Sequence, residues 1–247
     1  MDSRTVAANR GWQWIVEGFR MFRGQPLTWI TMIIVMLLIW VVSAMIPLVG
    51  ALAINLVSPV FFAGLMIGCR SADLGEEPAV SQLFGAFKTH AAPLVTVGGI
   101  YLAGNIVAVG VIFAVAGGSA LPALMDKGAD AETIRVAARS LMTGVAVGMA
   151  VFLPVLMAVW FAPLLIVFHN MPPLEAMKRS LAACWQNTLP FLVYGVIGVA
   201  MSIAAFLPLM LGFIVLLPVL VCSIYASYKD IFPAEGATPP APNPLIS

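Results

Sequence analysis

Few residues in this chain have types and spacings that could support catalysis or metal binding. Its two histidines, His90 and His169, stand apart, and no cysteine or histidine lies at metal-ligand spacing from another. The sequence has no histidine pair on a helix, no glycine-rich phosphate loop, no Gly-x-Ser-x-Gly and no Cys-x-x-Cys. We therefore expect no enzymatic activity, no metal and no cofactor.

The composition shows to which class of protein this chain belongs. Apolar residues make up 62% of the 247 positions, charged residues only 9%, and the mean hydropathy is +1.03. A soluble domain has roughly 25% charged residues, so a soluble enzyme and a disordered chain are both excluded. The formal net charge of +1 gives no indication of nucleic-acid binding. The three cysteines are too few for a disulfide framework.

Six uncharged apolar runs are long enough to cross a bilayer as helices, for which about 20 residues suffice. They are Leu27–Ile46, Val49–Gly68, Pro93–Gly117, Ser140–Phe168, Leu189–Leu209 and Leu211–Tyr228. Continuous rather than alternating apolar character favours helices over a barrel. The second and sixth runs follow very short links, so a tight hairpin or a re-entrant element is open for each. Prolines 59, 154, 163, 208 and 218 should kink or end their helices.

The basic residues are distributed unequally between the two sides that six spans create. Nine lie on the side of the termini, at positions 4, 10, 20, 23, 70, 88, 178, 179 and 229. Three lie on the other side, at positions 127, 135 and 139. The positive-inside rule therefore places both termini of this multi-pass chain in the cytoplasm. In the outer loop, 118–139, Asp130 is expected to cap a helix that runs into the fourth span.

Three cytoplasmic segments show the apolar spacing of an amphipathic helix and precede a pair of spans each. They are Gly11–Arg23, Pro78–Lys88 and Pro173–Asn187, and each ends in an aromatic residue, a polar residue and then a proline. The predicted fold is all-α, with six transmembrane helices in three repeats of interfacial helix plus helical hairpin. The resulting segments are 1–26, 27–68, 69–92, 93–168, 169–188, 189–228 and a disordered cytoplasmic tail, 229–247.

Aromatic and basic residues on these cytoplasmic segments are candidates for contact with lipid or a partner. The candidates are Trp12, Trp14, Arg20, Arg23, Lys88, His169, Lys178, Arg179 and Trp185. The simpler alternative is that these helices only stop the spans from sliding. Inside the spans only neutral polar residues occur, namely Asn55, Ser58, Tyr101, Asn105, Tyr194 and Ser202. Interhelical hydrogen bonding is the expected role of the second group, with a substrate pocket as the alternative.

Longer stretches of the sequence resemble a known family. These are Trp160–Ser180, with its Ala-Pro-Leu-Leu, Glu-Ala and Arg-Ser elements, Trp185–Tyr194, and Gly11–Phe22. The chain resembles an uncharacterised family of bacterial integral membrane proteins over residues 10–232. More distantly it is similar to the membrane domain fused to some glycerophosphodiester phosphodiesterases. The resemblance implies a bacterial inner membrane and six spans. It implies no catalytic residue, since the soluble phosphodiesterase domain and its acidic metal cluster are absent from this sequence.

Two functions follow as expectations. The first is a non-enzymatic inner-membrane protein that binds membrane lipids, a membrane-protein partner or a second copy of itself through its cytoplasmic helices, in envelope organisation or assembly. The alternative is a transporter or channel for neutral or amphiphilic small molecules, because the absence of charge within the spans argues against proton or ion coupling. A continuous cavity lined by Asn55 and Asn105 would favour the alternative.

Overall fold

A computed structural model describes residues 3–118, 120–126 and 128–233 of the chain. The described residues are 83% helical and include no strand. The helices, in order, are α1 Arg10–Gly24, α2 Pro26–Ala44, α3 Val49–Asp73, a 3₁₀ helix Val80–Phe84, α4 Gly85–Thr89, α5 Ala91–Ala116, α6 Ala120–Met125, α7 Ala131–Trp160, α8 Ala162–His169, α9 Pro173–Gln186, α10 Thr188–Phe206 and α11 Phe213–Ile231. The predicted all-α fold is confirmed.

Six helical stretches are long and apolar enough to cross a membrane, which confirms the predicted number of spans. They are Pro26–Ala44, Val49–Asp73, Ala91–Ala116, Ala131–His169, Thr188–Phe206 and Phe213–Ile231. The second and sixth contain 25 and 19 residues, so neither is too short to span. The three-repeat arrangement of these spans stays a prediction.

The turn between the last two spans is longer than the single residue that the sequence suggested. Helix α10 ends at Phe206 because Pro208 lacks the N–H that would continue it. The chain then reverses through Leu209 and Met210, whose φ angles of 51° and 66° are left-handed. Leu48, in the turn between α2 and α3, also has a positive φ of 60°. Both hairpins therefore close through backbone conformations that L-residues seldom adopt.

The intramembrane prolines differ in their effect. Pro59, Pro154 and Pro218 lie inside helices that continue past them. Pro163 instead follows a true interruption, because α7 ends at Trp160 and α8 begins at Ala162. The fourth span is therefore two helices joined at Phe161.

Much of the described part of the outer loop, 118–139, is helical: it contains α6 and the first residues of α7. Asp130 caps α7 as predicted, accepting a 3.0 Å hydrogen bond from the Thr133 N–H. The short helix α6 packs on the start of α7 through Ala120 and Ala137. The predicted disordered tail, 229–247, begins too early, because α11 continues to Ile231. Lys127 in this loop and the tail beyond position 233 lie outside the described residues.

Both described chain ends lie at the same end of the helical bundle, which we call the terminal face. The Arg4 N–H donates to the Ile231 carbonyl at 2.9 Å. Helices α1 and α9 occupy the first and third predicted amphipathic segments at this face. The second segment, Pro78–Lys88, differs from the single helix expected, since it consists of the 3₁₀ helix followed by α4.

Candidate functional site

The N-terminal segment is fixed to the terminal face by a buried asparagine that follows α9. Asn187 is fully buried, and its side-chain oxygen accepts from the Val6 N–H at 2.9 Å. Its amide nitrogen donates to the carbonyls of Arg4 at 3.0 Å and Ala183 at 2.9 Å. Three hydrogen bonds therefore satisfy one buried amide and hold residues 4–6 against the bundle.

A buried carboxylate near the end of α11 joins this segment to α1. Asp230 is 5% exposed and accepts from the Arg4 guanidinium at 2.7 Å and from the Trp14 indole at 2.9 Å. The Arg10 guanidinium donates to the same carboxylate. Two cations and an indole N–H thus compensate the buried charge of Asp230, as a buried ion requires. We call these four residues the Asp230 cluster.

The place of Trp14 corrects the interpretation that the apolar face of α1 meets lipid. Trp14 has no exposed surface, and its ring packs on Phe191 and Tyr194, with ring centroids 5.3 and 6.2 Å away. This face is apolar because α10 and α11 cover it. Trp14 is therefore unavailable to a lipid or a partner.

Glu17 lies beside the Asp230 cluster and completes its charge network. Its carboxylate accepts from Arg10 at 3.2 Å. Burial raises the pKa of Glu17 above its ordinary value, and the nearby Arg10 opposes this shift. Arg10 therefore balances two carboxylates at the point where α1 meets the end of α11.

The remaining candidates for contact with lipid or a partner lie on the surface of the terminal face. Trp12 and Trp185 are 45% and 71% exposed. Exposed basic residues without a salt bridge in the described chain accompany them, namely Arg20, Arg23, Lys88 and Lys178. Arg179 differs, because it pairs with Glu175 at 2.8 Å along α9. The structure therefore leaves basic side chains and two indole rings exposed on the helices that connect the spans.

His169 forms a hydrogen bond with a tyrosine of α11. Its Nε2 lies 2.6 Å from the Tyr228 hydroxyl, and the Arg70 guanidinium covers the ring of the preceding Phe168 at 5.1 Å. His90, at the start of α5, contacts the Asn170 side chain at 2.9 Å. Among the described residues no group of three His, Cys, Asp or Glu side chains could hold a metal ion.

The joint between α7 and α8 is filled by a serine from α9. Ser180 is fully buried; its hydroxyl accepts from the Phe161 N–H at 2.9 Å and donates to the Met157 carbonyl at 2.6 Å. These two backbone groups would bond each other in an uninterrupted helix. The Ala-Pro-Leu-Leu and Arg-Ser elements noted in the sequence therefore meet in space, one at the interruption and one supplying the hydroxyl.

Replacing Ser180 with alanine should destabilise the protein by about 1–3 kcal/mol, because two buried backbone groups lose their partner. Ser202→Ala is the matched control, since the Ser202 hydroxyl only bonds the Gly198 carbonyl of its own helix at 2.7 Å. Equilibrium unfolding in detergent micelles measures both variants. Equal stability of the two would show that Ser180 does not support the joint.

Most of the intramembrane polar candidates do not form the interhelical hydrogen bonds that the sequence suggested. Tyr194 does, through a 2.7 Å contact with the Ser223 hydroxyl of α11. The Asn55 and Asn105 amides donate within their own helices, to the carbonyls of Ala51 at 2.8 Å and Tyr101 at 3.0 Å. The hydroxyls of Ser58 and Ser202 also bond to the backbone of their own helices. A polar side chain in lipid can satisfy itself one turn back, so neighbouring helices are not required.

Several of these residues line a half-open cavity of about 560 Å³ between the helices. Asn55 and Ser58 of α3 and Tyr101 of α5 line it, together with apolar and aromatic side chains from α2, α7, α8 and α11. Tyr101 lies ten residues into α5, or about 15 Å along the helix from the terminal face. The cavity is therefore at membrane depth. Asn105 is outside its described lining.

Sequence reasoning missed Asp230, Arg4, Arg10, Asn187 and Ser180, the residues that hold the terminal face together. Asp230 follows Lys229 at the end of the last span, where a charged pair is typical of a solvated helix end. A usable signal was the spacing of Gly11, Trp14 and Gly18, which places two glycines and an indole on one helix face.

Comparison with known proteins agrees with a membrane location. The chain is 29% identical over 265 residues to a protein of Burkholderia thailandensis whose name is "Probable inner membrane protein". That alignment covers 96% of this chain and 97% of the relative. No family model and no solved structure matches the chain. With its six apolar helices and this relative, the chain is a multi-pass inner-membrane protein.

Proposed function

We propose that the protein is a non-enzymatic inner-membrane protein whose terminal face lies in the cytoplasm and binds the headgroups of anionic lipids. The observation that carries the proposal is the group of exposed basic residues, without a salt bridge among the described residues, that shares the helices connecting the spans with exposed indole rings. Lys178 and Trp185 on α9 are the clearest pair. Basic residues attract anionic headgroups, and tryptophan favours the membrane–water boundary.

The charge distribution supports this orientation. Nine of the twelve basic residues belong to segments at the terminal face, and cytoplasmic segments carry an excess of such residues. Envelope organisation or membrane-protein assembly is the physiological role that we attach to headgroup binding. The distant likeness to the membrane domain of glycerophosphodiester phosphodiesterases stays a prediction.

Lys178→Gln should lower the enrichment of phosphatidylglycerol around the protein. Each basic residue near an anionic surface contributes about 1 kcal/mol, so the expected decrease is about fivefold. The measurement is the ratio of phosphatidylglycerol to phosphatidylethanolamine that co-purifies in polymer-extracted native particles, quantified by mass spectrometry.

Arg139→Gln is the matched control for this experiment. Arg139 is also exposed and has no salt bridge in the described chain, but it lies near the outer end of α7. We expect its substitution to leave the lipid ratio unchanged. An equal decrease in both variants would contradict a specific role for the terminal face, and a co-purifying protein lost with Lys178→Gln would indicate a protein partner in place of lipid.

The transporter alternative has one supporting observation, the cavity lined by Asn55. Its second expected residue, Asn105, is not part of the lining. The geometry therefore favours binding over a continuous pathway, and we do not propose transport.

A further inference from the structure

We propose that the intramembrane cavity is a binding site for a neutral membrane amphiphile, an apolar chain that ends in an uncharged ester or hydroxyl group. This site is separate from the headgroup surface of the terminal face and does not depend on it. The juxtaposition of Asn55, Ser58 and Tyr101 with a large apolar wall carries the proposal.

The size and lining of the cavity fit a lipid chain. Its volume of about 560 Å³ is within the roughly 300–1,000 Å³ of ordinary ligand sites, which are mostly apolar with a few polar groups. The wall includes Trp40, Phe61, Phe62 and Trp160. Since the cavity is half open and is lined by membrane-spanning helices, its ligand would come from the lipid phase.

The charge of the lining selects the class of headgroup. The described lining contains neither an acidic nor a basic residue. An ionised phosphate or carboxylate at this depth would have no counter-ion and would cost several kcal/mol to desolvate. A neutral group escapes that cost, so the cavity discriminates against phospholipid headgroups and free fatty acids.

Polar groups without protein partners indicate where the neutral end of the ligand would bind. The Asn55 amide uses one N–H on the Ala51 carbonyl, and within the described chain its side-chain oxygen has no partner. The Tyr101 hydroxyl makes no hydrogen bond to a described residue, and the buried indole N–H of Trp160 has no acceptor there. Such groups are costly in a bilayer, where water is scarce. An ester or hydroxyl beside Asn55 and Tyr101 would supply the missing partners.

Photo-crosslinking of the full-length protein in phosphatidylcholine vesicles tests this proposal. The probe is a monoacylglycerol that carries a diazirine in its chain, and unlabelled monoacylglycerol is the competitor. We expect saturable, competed labelling of peptides from α3 and α7. A fatty acid with the same chain and diazirine should label these peptides several-fold less at neutral pH.

Two pairs of variants separate specific binding from partition into bulk lipid. Asn55→Leu should lower labelling about tenfold, the effect of losing one hydrogen bond, whereas Asn105→Leu should not. Both asparagines donate to a carbonyl one turn back, so the pair differs mainly in access to the cavity. Leu156→Trp fills the cavity and should abolish labelling. Leu153→Trp, one turn away on α7 at a 47% exposed position, should not.

Three results would overturn the proposal. They are labelling that does not saturate, labelling that is equal in all four variants, and a fatty acid that labels as well as the neutral probe. If Asn55→Leu does not fold, the Leu156 and Leu153 pair still decides the outcome. Lys178→Gln should leave labelling unchanged, so failure of the headgroup proposal and failure of this one are distinguishable.

Discussion

Asp230→Ala should be the most damaging single substitution at the terminal face, lowering the free energy of unfolding by about 3–5 kcal/mol. The carboxylate is buried, and its removal leaves the Arg4 guanidinium, 29% exposed, without a counter-ion and the Arg10 guanidinium, 18% exposed, with Glu17 alone. The Trp14 indole N–H loses its acceptor as well. Equilibrium unfolding in detergent micelles measures the loss, and trypsin should cleave after Arg4 and Arg10 more rapidly in the variant.

Asp73→Ala is the matched control for this prediction. Asp73, at the end of α3, pairs with Lys229 at 2.5 Å, but the two side chains are 29% and 48% exposed. Water screens such a pair, so its removal should cost no more than about 1 kcal/mol. If the two variants lose the same stability, burial of Asp230 does not hold the terminal face together. Asp230→Asn should fall between them, because it removes the charge but keeps an acceptor.

The number of spans could be predicted because it depends on composition alone. A run of about 20 apolar residues must leave water wherever its neighbours lie, so the six spans required no knowledge of contacts. The Asp130 cap was equally local, since the carboxylate bonds an N–H three residues away. Features of this kind are encoded within one continuous stretch of the sequence.

The interruption at Phe161 and the Asp230 cluster depend on contacts between distant parts of the chain. Pro163 suggested a kink, but the partner that fills the joint is Ser180, on another helix. Arg4 and Asp230 are 226 residues apart. One sequence without its packing gives no reason to pair them, and both residue types are ordinary at a solvated helix end.

The sequence predicted that α1 is an amphipathic helix, but it did not predict which part of the protein covers its apolar side. The predicted stripe of Trp12, Ile15, Val16, Phe19 and Phe22 can meet lipid or another helix, since both are apolar. The structure buries Ile15 and Phe22 but leaves Trp12 and Phe19 45% and 47% exposed. In a membrane protein the pattern therefore identifies the helix without identifying what covers it.

Gly18→Ala should separate α1 from α11, because this glycine lies where the two backbones touch. A Cβ atom at position 18 would be 2.6 Å from both the Val219 carbonyl oxygen and the Ser223 backbone nitrogen. Backbone atoms of a packed helix cannot yield as the end of a flexible side chain can. We expect a loss of about 1–3 kcal/mol, the usual cost of overpacking, and a larger loss for Gly18→Leu.

Gly24→Ala provides the control within the same helix, since no atom lies within 4 Å of the added Cβ. Alanine favours a helix over glycine by about 1 kcal/mol, so this variant should be neutral or slightly more stable.

Thermal unfolding in detergent compares the two alanine variants, and quenching of tryptophan fluorescence reports whether Trp14 becomes exposed. Because Trp14 lies one turn before Gly18, displacement of α1 should also weaken the bond from its indole to Asp230. Equal melting temperatures and equal quenching for the two alanine variants would show that the contact between α1 and α11 is not limiting for stability.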